Sequence, residues 1–219
     1  MFFDPLYLLV IGIGMALSLY ASSITKGRFR KYSQYTTRSR MTGAQVAQGI
    51  LDDNNIRDVR IEPVGGELTD HYDPRTKTLR LSQSVYDSNS MAAFGVAAHE
   101  VGHAIQHAKS YTMLSFRSAW VPVANLGGGL SMFVIILAVF LGGANSATGA
   151  SLSWLGVLLF GCTTVFTLVT LPVEFDASNR ALKALQKGNY VTEKELDGAK
   201  KVLNAAAMTY VAAFITSLI

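Results

Sequence analysis

Cys162 is the single cysteine of this 219-residue chain. One thiol forms no internal disulfide and builds no thiolate metal site, so any metal must be held by His, Asp and Glu. Charge is missing too, and it is missing in blocks. LYLLVIGIGMALSLYASS (Leu6–Ser23), VPVANLGGGLSMFVIILAVFLGG (Val121–Gly143) and LSWLGVLLFGCTTVFTLVTLPV (Leu152–Val173) contain no charged residue. Each is long enough to cross a hydrocarbon core about 30 Å thick at about 1.5 Å per helical residue. LNAAAMTYVAAFITSLI (Leu203–Ile219) is equally uncharged but only 17 residues long, at the short end for a span. It is expected to be a fourth span, with a helix lying along the interface as the alternative.

Other absences narrow the reading further. MFFD holds no basic residue ahead of the first apolar stretch, and the positive cluster Lys26, Arg28, Arg30, Lys31 comes after it. A cleavable signal has the opposite order, so the segment is expected to remain as an anchor. No Lys follows Gly127-Gly128-Gly129 as a phosphate loop requires, which leaves close helix packing or a loosened helix start in the membrane as the use of those glycines. Residues 24–118 hold 13 of the 19 Lys and Arg, residues 174–202 hold the other six, and the linker GGANSATGA holds none. Loops rich in Lys and Arg stay in the cytoplasm, so both charged segments are expected there, with the N-terminus and the short linker outside. The formal charge of +4 is then topogenic, aided by anionic lipid, and calls for no nucleic-acid partner.

Between the spans, Thr42 to Gln45 reads as a capping box opening a helix to about Asp53. Val59–Val64 and Thr78–Ser82 alternate as half-buried strands, with Gly65-Gly66, a further strand candidate in LTDHY, and the turn pair Asp73-Pro74 between them. A small two- or three-stranded sheet follows. The segment LTDHYDPRTKTLRLS is suited to supply an edge strand for main-chain pairing with an extended peptide, with a plain surface hairpin as the alternative. Ser90 is a good N-cap for MAAFGVAAHEVGHAIQHAKSY, Pro172 is expected to close the third span and start a new helix ending near Gly188, and Thr192 to Glu195 opens the last helix.

The chemistry concentrates in AAHEVGHAIQH. His99 and His103 stand four apart on a helix and present both imidazoles on one face. Glu100 follows the first histidine, turned toward the same opening without being a ligand, and is placed to take a proton from water. This is HExxH, set among Ala97, Ala98, Gly102 and Ala104, whose small side chains admit close neighbours. A catalytic zinc wants three protein ligands and one open position. Three residues compete for the third place. His107 continues the series but drifts about 80° around the helix from His99. His71 in LTDHYDP reaches from a second element. Glu174 is favoured, because a carboxylate at a membrane boundary is expensive unless it pairs with charge or metal. For the oxyanion donor, Arg180, His71, Tyr72, Tyr111 and Tyr210 are all candidates, with Arg180 preferred for its nearness to Glu174.

AAHEVGHAIQH, followed across two spans by LPVEFDASNRAL, resembles the YugP-like family of membrane zinc metallopeptidases over nearly the whole chain, the LTDHYDP and TLRLS segments included. More distantly it is similar to the HtpX and CAAX-prenyl-protease clan, where a Glu in an ExxAD-type motif follows the HExxH helix. The resemblance implies His99, His103 and Glu174 as Zn2+ ligands and Glu100 as general base. It also places Ser178 where the distant clan has an Asp that orients a ligand imidazole, with Asp176 as a substitute. The expectation is a mainly α membrane protein: an anchor (1–23), a small cytoplasmic α+β zincin-like portion (24–118), a transmembrane hairpin (119–173), cytoplasmic helices bearing the third ligand (174–202) and a fourth transmembrane helix (203–219). Its expected function is zinc-dependent hydrolysis of protein or peptide substrates at the plasma membrane, its active site facing the cytoplasm. A silent zinc-binding scaffold and a peptidase for lipidated proteins are the alternatives.

Overall fold

Backbone in lipid must satisfy its own hydrogen bonds, which an uncharged stretch does by becoming helical. The computed structural model describes residues 5–219, so residues 1–4 of the expected anchor lie outside the described residues. In chain order the elements are α1 (Pro5–Tyr32), α2 (Gly43–Asp53), β1 (Arg60–Val64), β2 (His71–Asp73), β3 (Thr78–Ser82), α3 (Gln83–Tyr86), α4 (Met91–Ala108), α5 (Thr112–Phe140), α6 (Ala147–Lys187) and α7 (Glu193–Leu218), with a short 3-10 turn at Gly143–Asn145. Helices α1, α5, α6 and α7 are long and apolar enough to cross a membrane, and Phe133, Phe140, Trp154 and Leu158 stand exposed on their outer faces. The mainly α, membrane-type architecture with a small sheet is as expected.

Two helix boundaries differ from the sequence reading. Helix α1 does not stop at Ser23 but continues through the basic cluster to Tyr32; Lys and Arg are good helix formers, and Arg30 and Lys31 in the last turn meet the negative end of the dipole. No new helix starts at Pro172, because α6 runs unbroken over 41 residues with Pro172 inside it. The proline removes only the N–H that the Leu168 carbonyl would have used, and nearby Thr170 turns its hydroxyl back onto the Phe166 carbonyl at 2.8 Å. The last helix is as read from its capping box at Thr192: α7 begins at Glu193 and runs on into the apolar tail, 26 residues in all.

Helices α5 and α6 form a hairpin. Gly127 is required there, since a Cβ would sit 2.7 Å from the Leu159 carbonyl oxygen, and Trp120 donates from Nε1 to the Cys162 carbonyl at 3.0 Å. Helix α7 is tied to α1 by Thr25 Oγ1 donating to the Ala205 carbonyl (2.8 Å) and to α6 by Thr164 Oγ1 donating to the Ser217 carbonyl (3.0 Å). The sheet has the order β1-β3-β2, with β1 parallel and β2 antiparallel to β3. Strand β2 is therefore an edge, turned back by the Asp73 carboxylate, which accepts from Arg75 N (3.0 Å) and Thr76 Oγ1 (2.8 Å).

Under the sheet, Leu79 and Leu81 of β3 meet Val46, Ile50 and Leu51 of α2 and Phe94, Val101 and Ile105 of α4 in one core that extends to Leu185 of α6 and Leu203 of α7. Each such side chain contributes about 1.5–3 kcal/mol on burial. Helix α4 is the axis of this core. Its start is fixed by Ser90, whose hydroxyl accepts from Ala93 N at 3.2 Å, a cap worth about 1 kcal/mol, and by Met91 N donating to the Tyr35 carbonyl at 2.9 Å.

Candidate metal centre

Helix α4 presses against α6 where both have given up bulk. A Cβ on Gly102 would meet the Ala177 carbonyl oxygen at 2.4 Å, so only glycine lets the two backbones approach this closely. The approach brings His99 and His103 of α4 to Glu174 of α6. Glu174 Oε2 lies 3.2 Å from His99 Nε2 and 3.6 Å from His103 Nε2, with the carboxylate buried. One ligand atom from each of the three lies within 4.8 Å of the others. An ion held by bonds of about 2.0–2.2 Å in tetrahedral geometry sets its ligand atoms about 3.4 Å apart. The donor set and its spacing fit zinc.

The other ring nitrogens are occupied, which turns both Nε2 atoms toward the carboxylate. His99 Nδ1 is 3.1 Å from Ser178 Oγ, one turn beyond Glu174 on α6. His103 Nδ1 is 3.0 Å from Gln106 Oε1. The buried Gln106 amide has no freedom to turn over, since its Nε2 donates to the Val173 carbonyl and to Asp176 Oδ2, both at 2.8 Å. Its Oε1 must then accept, so the proton of His103 sits on Nδ1 and the Nε2 lone pair is left for an ion. Arg180 Nε closes the chain by donating to Asp176 Oδ2 at 2.5 Å.

Neither Gln106 nor Arg117 was anticipated from the sequence. Arg117 of α5 places Nη2 3.5 Å from Glu174 Oε1 and lies over the Phe166 ring at 6.0 Å. Its Nε is buried and finds no partner among the described residues. Arg117 precedes the span at Val121, where a lone positive charge looks topogenic. Gln106 sits among helix positions that look polar and solvated; its one distinguishing mark is the i+3 spacing from His103. Replacing Gln106 by Met, close to it in volume, is expected to weaken zinc binding about 10- to 100-fold, as read by competition with a chromophoric chelator.

The remaining candidates have other places. His71 on β2 is exposed, with Nδ1 2.8 Å from the Thr69 carbonyl, and stands outside the ligand cluster. His107 Nδ1 is 2.8 Å from the Tyr72 hydroxyl. Burial, with the charges of Asp58 and Asp73, pushes that phenol up to about 12, so the hydroxyl keeps its proton, and its hydrogen bond with His107 fastens edge strand β2 to α4. Arg180, expected as an oxyanion donor, is spent on Asp176 and lies over the Tyr111 ring at 5.6 Å. It positions Asp176, which holds Gln106. Ser178 and Asp176 both serve: the serine orients His99, and the aspartate reaches His103 through Gln106.

Glu100 is buried beside the cluster, its carboxyl pushed above the ordinary carboxylate range by burial against the pull of the two imidazoles. In His103, burial works against the charged form, and the hydrogen bond and charge of Glu174 overcome it, raising the pKa. Glu100, His103 and Glu174 open together into a cleft of about 1090 Å³, walled by residues 70–76, one face of α5 and Tyr210 of α7.

No solved structure matches the chain. Among curated proteins it is 43% identical over 213 residues, 97% of this chain and 92% of the relative, to "Putative membrane protease YugP" of Bacillus subtilis (strain 168). A two-histidine, one-glutamate cluster on an apolar helical frame thus coincides with a full-length sequence match, and the chain belongs to the family described as "Putative neutral zinc metallopeptidase", whose sequence model matches residues 7–219.

Proposed function

We propose that this protein is an integral membrane zinc endopeptidase in which His99, His103 and Glu174 hold the metal and Glu100 is the general base. The observation that carries the reading is the meeting of the three ligand atoms within 4.8 Å at the wall of a cleft that also exposes Glu100. A zinc ion held by these side chains supplies Lewis acidity, acidifying water and polarising a carbonyl. Glu100 takes the proton of the attacking water on its carboxylate and hands it to the leaving amine. Its burial beside the ligands suits that exchange, because a carboxyl shielded from solvent holds a proton more readily than an exposed one. Ser178 and Gln106 fix the imidazoles, and Arg117 balances the charge of Glu174.

The oxyanion donor is assigned to Tyr210, whose side chain lines the cleft with Glu100 and His103, in place of the engaged Arg180. Edge strand β2 takes the substrate main chain. The Lys- and Arg-rich segments support a position of this face on the cytoplasmic side of the plasma membrane.

Full-length protein in proteoliposomes is expected to cleave casein, to stop when a chelator strips its metal, and to resume when zinc is restored. Stoichiometric zinc without hydrolysis of casein or of any membrane-anchored polypeptide would leave a silent zinc-binding scaffold.

A further inference from the structure

Lipid offers no hydrogen bonds, so an exposed amide, or a carbonyl deprived of its donor, is costly within a membrane helix unless something polar meets it. Helix α5 has both on one face. Leu114, Arg117, Ser118, Val121, Pro122 and Asn125 recur at helical spacing, and all six line the cleft that holds Glu100, His103 and Glu174. Pro122 has no N–H to give the Ser118 carbonyl. Asn125 is exposed, inside the uncharged stretch that begins at Val121, and its amide meets no partner among the described residues. From Leu114 to Asn125 the face measures about 16 Å at 1.5 Å per residue, so the cleft runs from the metal ligands into the apolar part of the helix.

At its other end the same cleft is walled by residues 70–76, where β2 pairs with β3 on one side only. The two ends make one demand. A soluble extended peptide would use the β2 edge and leave Ser118 and Asn125 unmet. A lipid chain would cover α5 without satisfying an amide. A polypeptide that runs along β2 and continues into the bilayer serves both, because the unwound end of its membrane segment brings its own N–H and C=O groups to Asn125 and Ser118.

We infer that the substrates are membrane proteins, cut in the extended segment adjoining a transmembrane helix whose end unwinds along α5. This rests on the endopeptidase reading for the cutting and on the cleft alone for the binding.

Disulfide trapping separates the two. In full-length protein carrying Glu100→Gln and Cys162→Ala, a cysteine is introduced as Asn125→Cys, as Ser118→Cys on the same face, or as Leu126→Cys on the neighbouring face, where the leucine is 65% exposed. Each variant is checked for zinc content and reconstituted with a single-span test polypeptide bearing one cysteine at the junction of span and tail. Cross-linking at Asn125→Cys and Ser118→Cys is expected to be about tenfold faster than at Leu126→Cys, since a bound chain presents its thiol at raised effective concentration. Excess cysteine-free single-span polypeptide should suppress it, and the tail without its span should not. Equal rates at the three positions, or equal suppression by the spanless tail, overturn the inference even if the wild type cleaves both polypeptides. Selective cross-linking with no cleavage by the wild type would instead uphold the binding mode and remove the endopeptidase reading.

Discussion

Exchange of Glu100 for glutamine is expected to slow peptide hydrolysis by about 10²- to 10⁴-fold, the range lost with a general acid–base group, while the protein keeps its zinc. The two halves follow from different observations. Glutamine has the size of the buried Glu100 side chain and leaves α4 packed, and Glu100 is not among the three residues whose ligand atoms converge. It cannot take a proton from water or return one to an amine. Casein turnover beside zinc content of the same preparation checks both halves. Zinc lost along with turnover would make Glu100 part of the metal's support, and undiminished turnover would move the base elsewhere.

Removal of the third ligand should act in the reverse order, on metal before rate. With near-stoichiometric zinc expected in the wild type, the content of Glu174→Ala is expected to fall to background, an affinity loss above the roughly 10- to 100-fold for partners that only orient a ligand. Glu174 is the one group that reaches both Nε2 atoms, at 3.2 and 3.6 Å, and its loss also strips Arg117 of its counter-charge. His71→Ala and His107→Ala are expected to retain zinc. The His107 variant should nonetheless cleave more slowly, because the Tyr72 contact that fastens β2 to α4 is gone. Metal kept in Glu174→Ala but lost with either histidine would transfer the third ligand.

What could be read from the chain alone followed the reach of local rules. The four-residue spacing of His99 and His103 needs only helical geometry, and the helix is there because Ser90 caps it and its small apolar residues can be buried on every side. Glu174 stands 75 positions from His99, and it was legible through the cost of a carboxylate beside an apolar span. The capping boxes at Thr42 and Thr192 are local too, and both form. Gln106 and Arg117 escaped notice because each has an ordinary surface meaning until α6 arrives to bury it. Pro172 misled for the complementary reason: proline is a usual helix boundary, yet only one backbone hydrogen bond is lost to it and α6 runs through unbroken. Ser178 looked like a lost carboxylate because its partner, His99 Nδ1, is on another helix.

Helix α6 contributes to the centre at four points: the Val173 carbonyl, Glu174, Asp176 and Ser178. The same unbroken helix of 41 residues is about 60 Å long at 1.5 Å per residue. It is one rod, uncharged before Glu174 and rich in charge after it. Bilayers of different thickness set different tilts of a long helix at modest cost, and whatever tilt α6 takes, the four groups it carries keep their order and spacing along it. The lipid-facing arm and the four groups at the centre thus belong to one continuous rod.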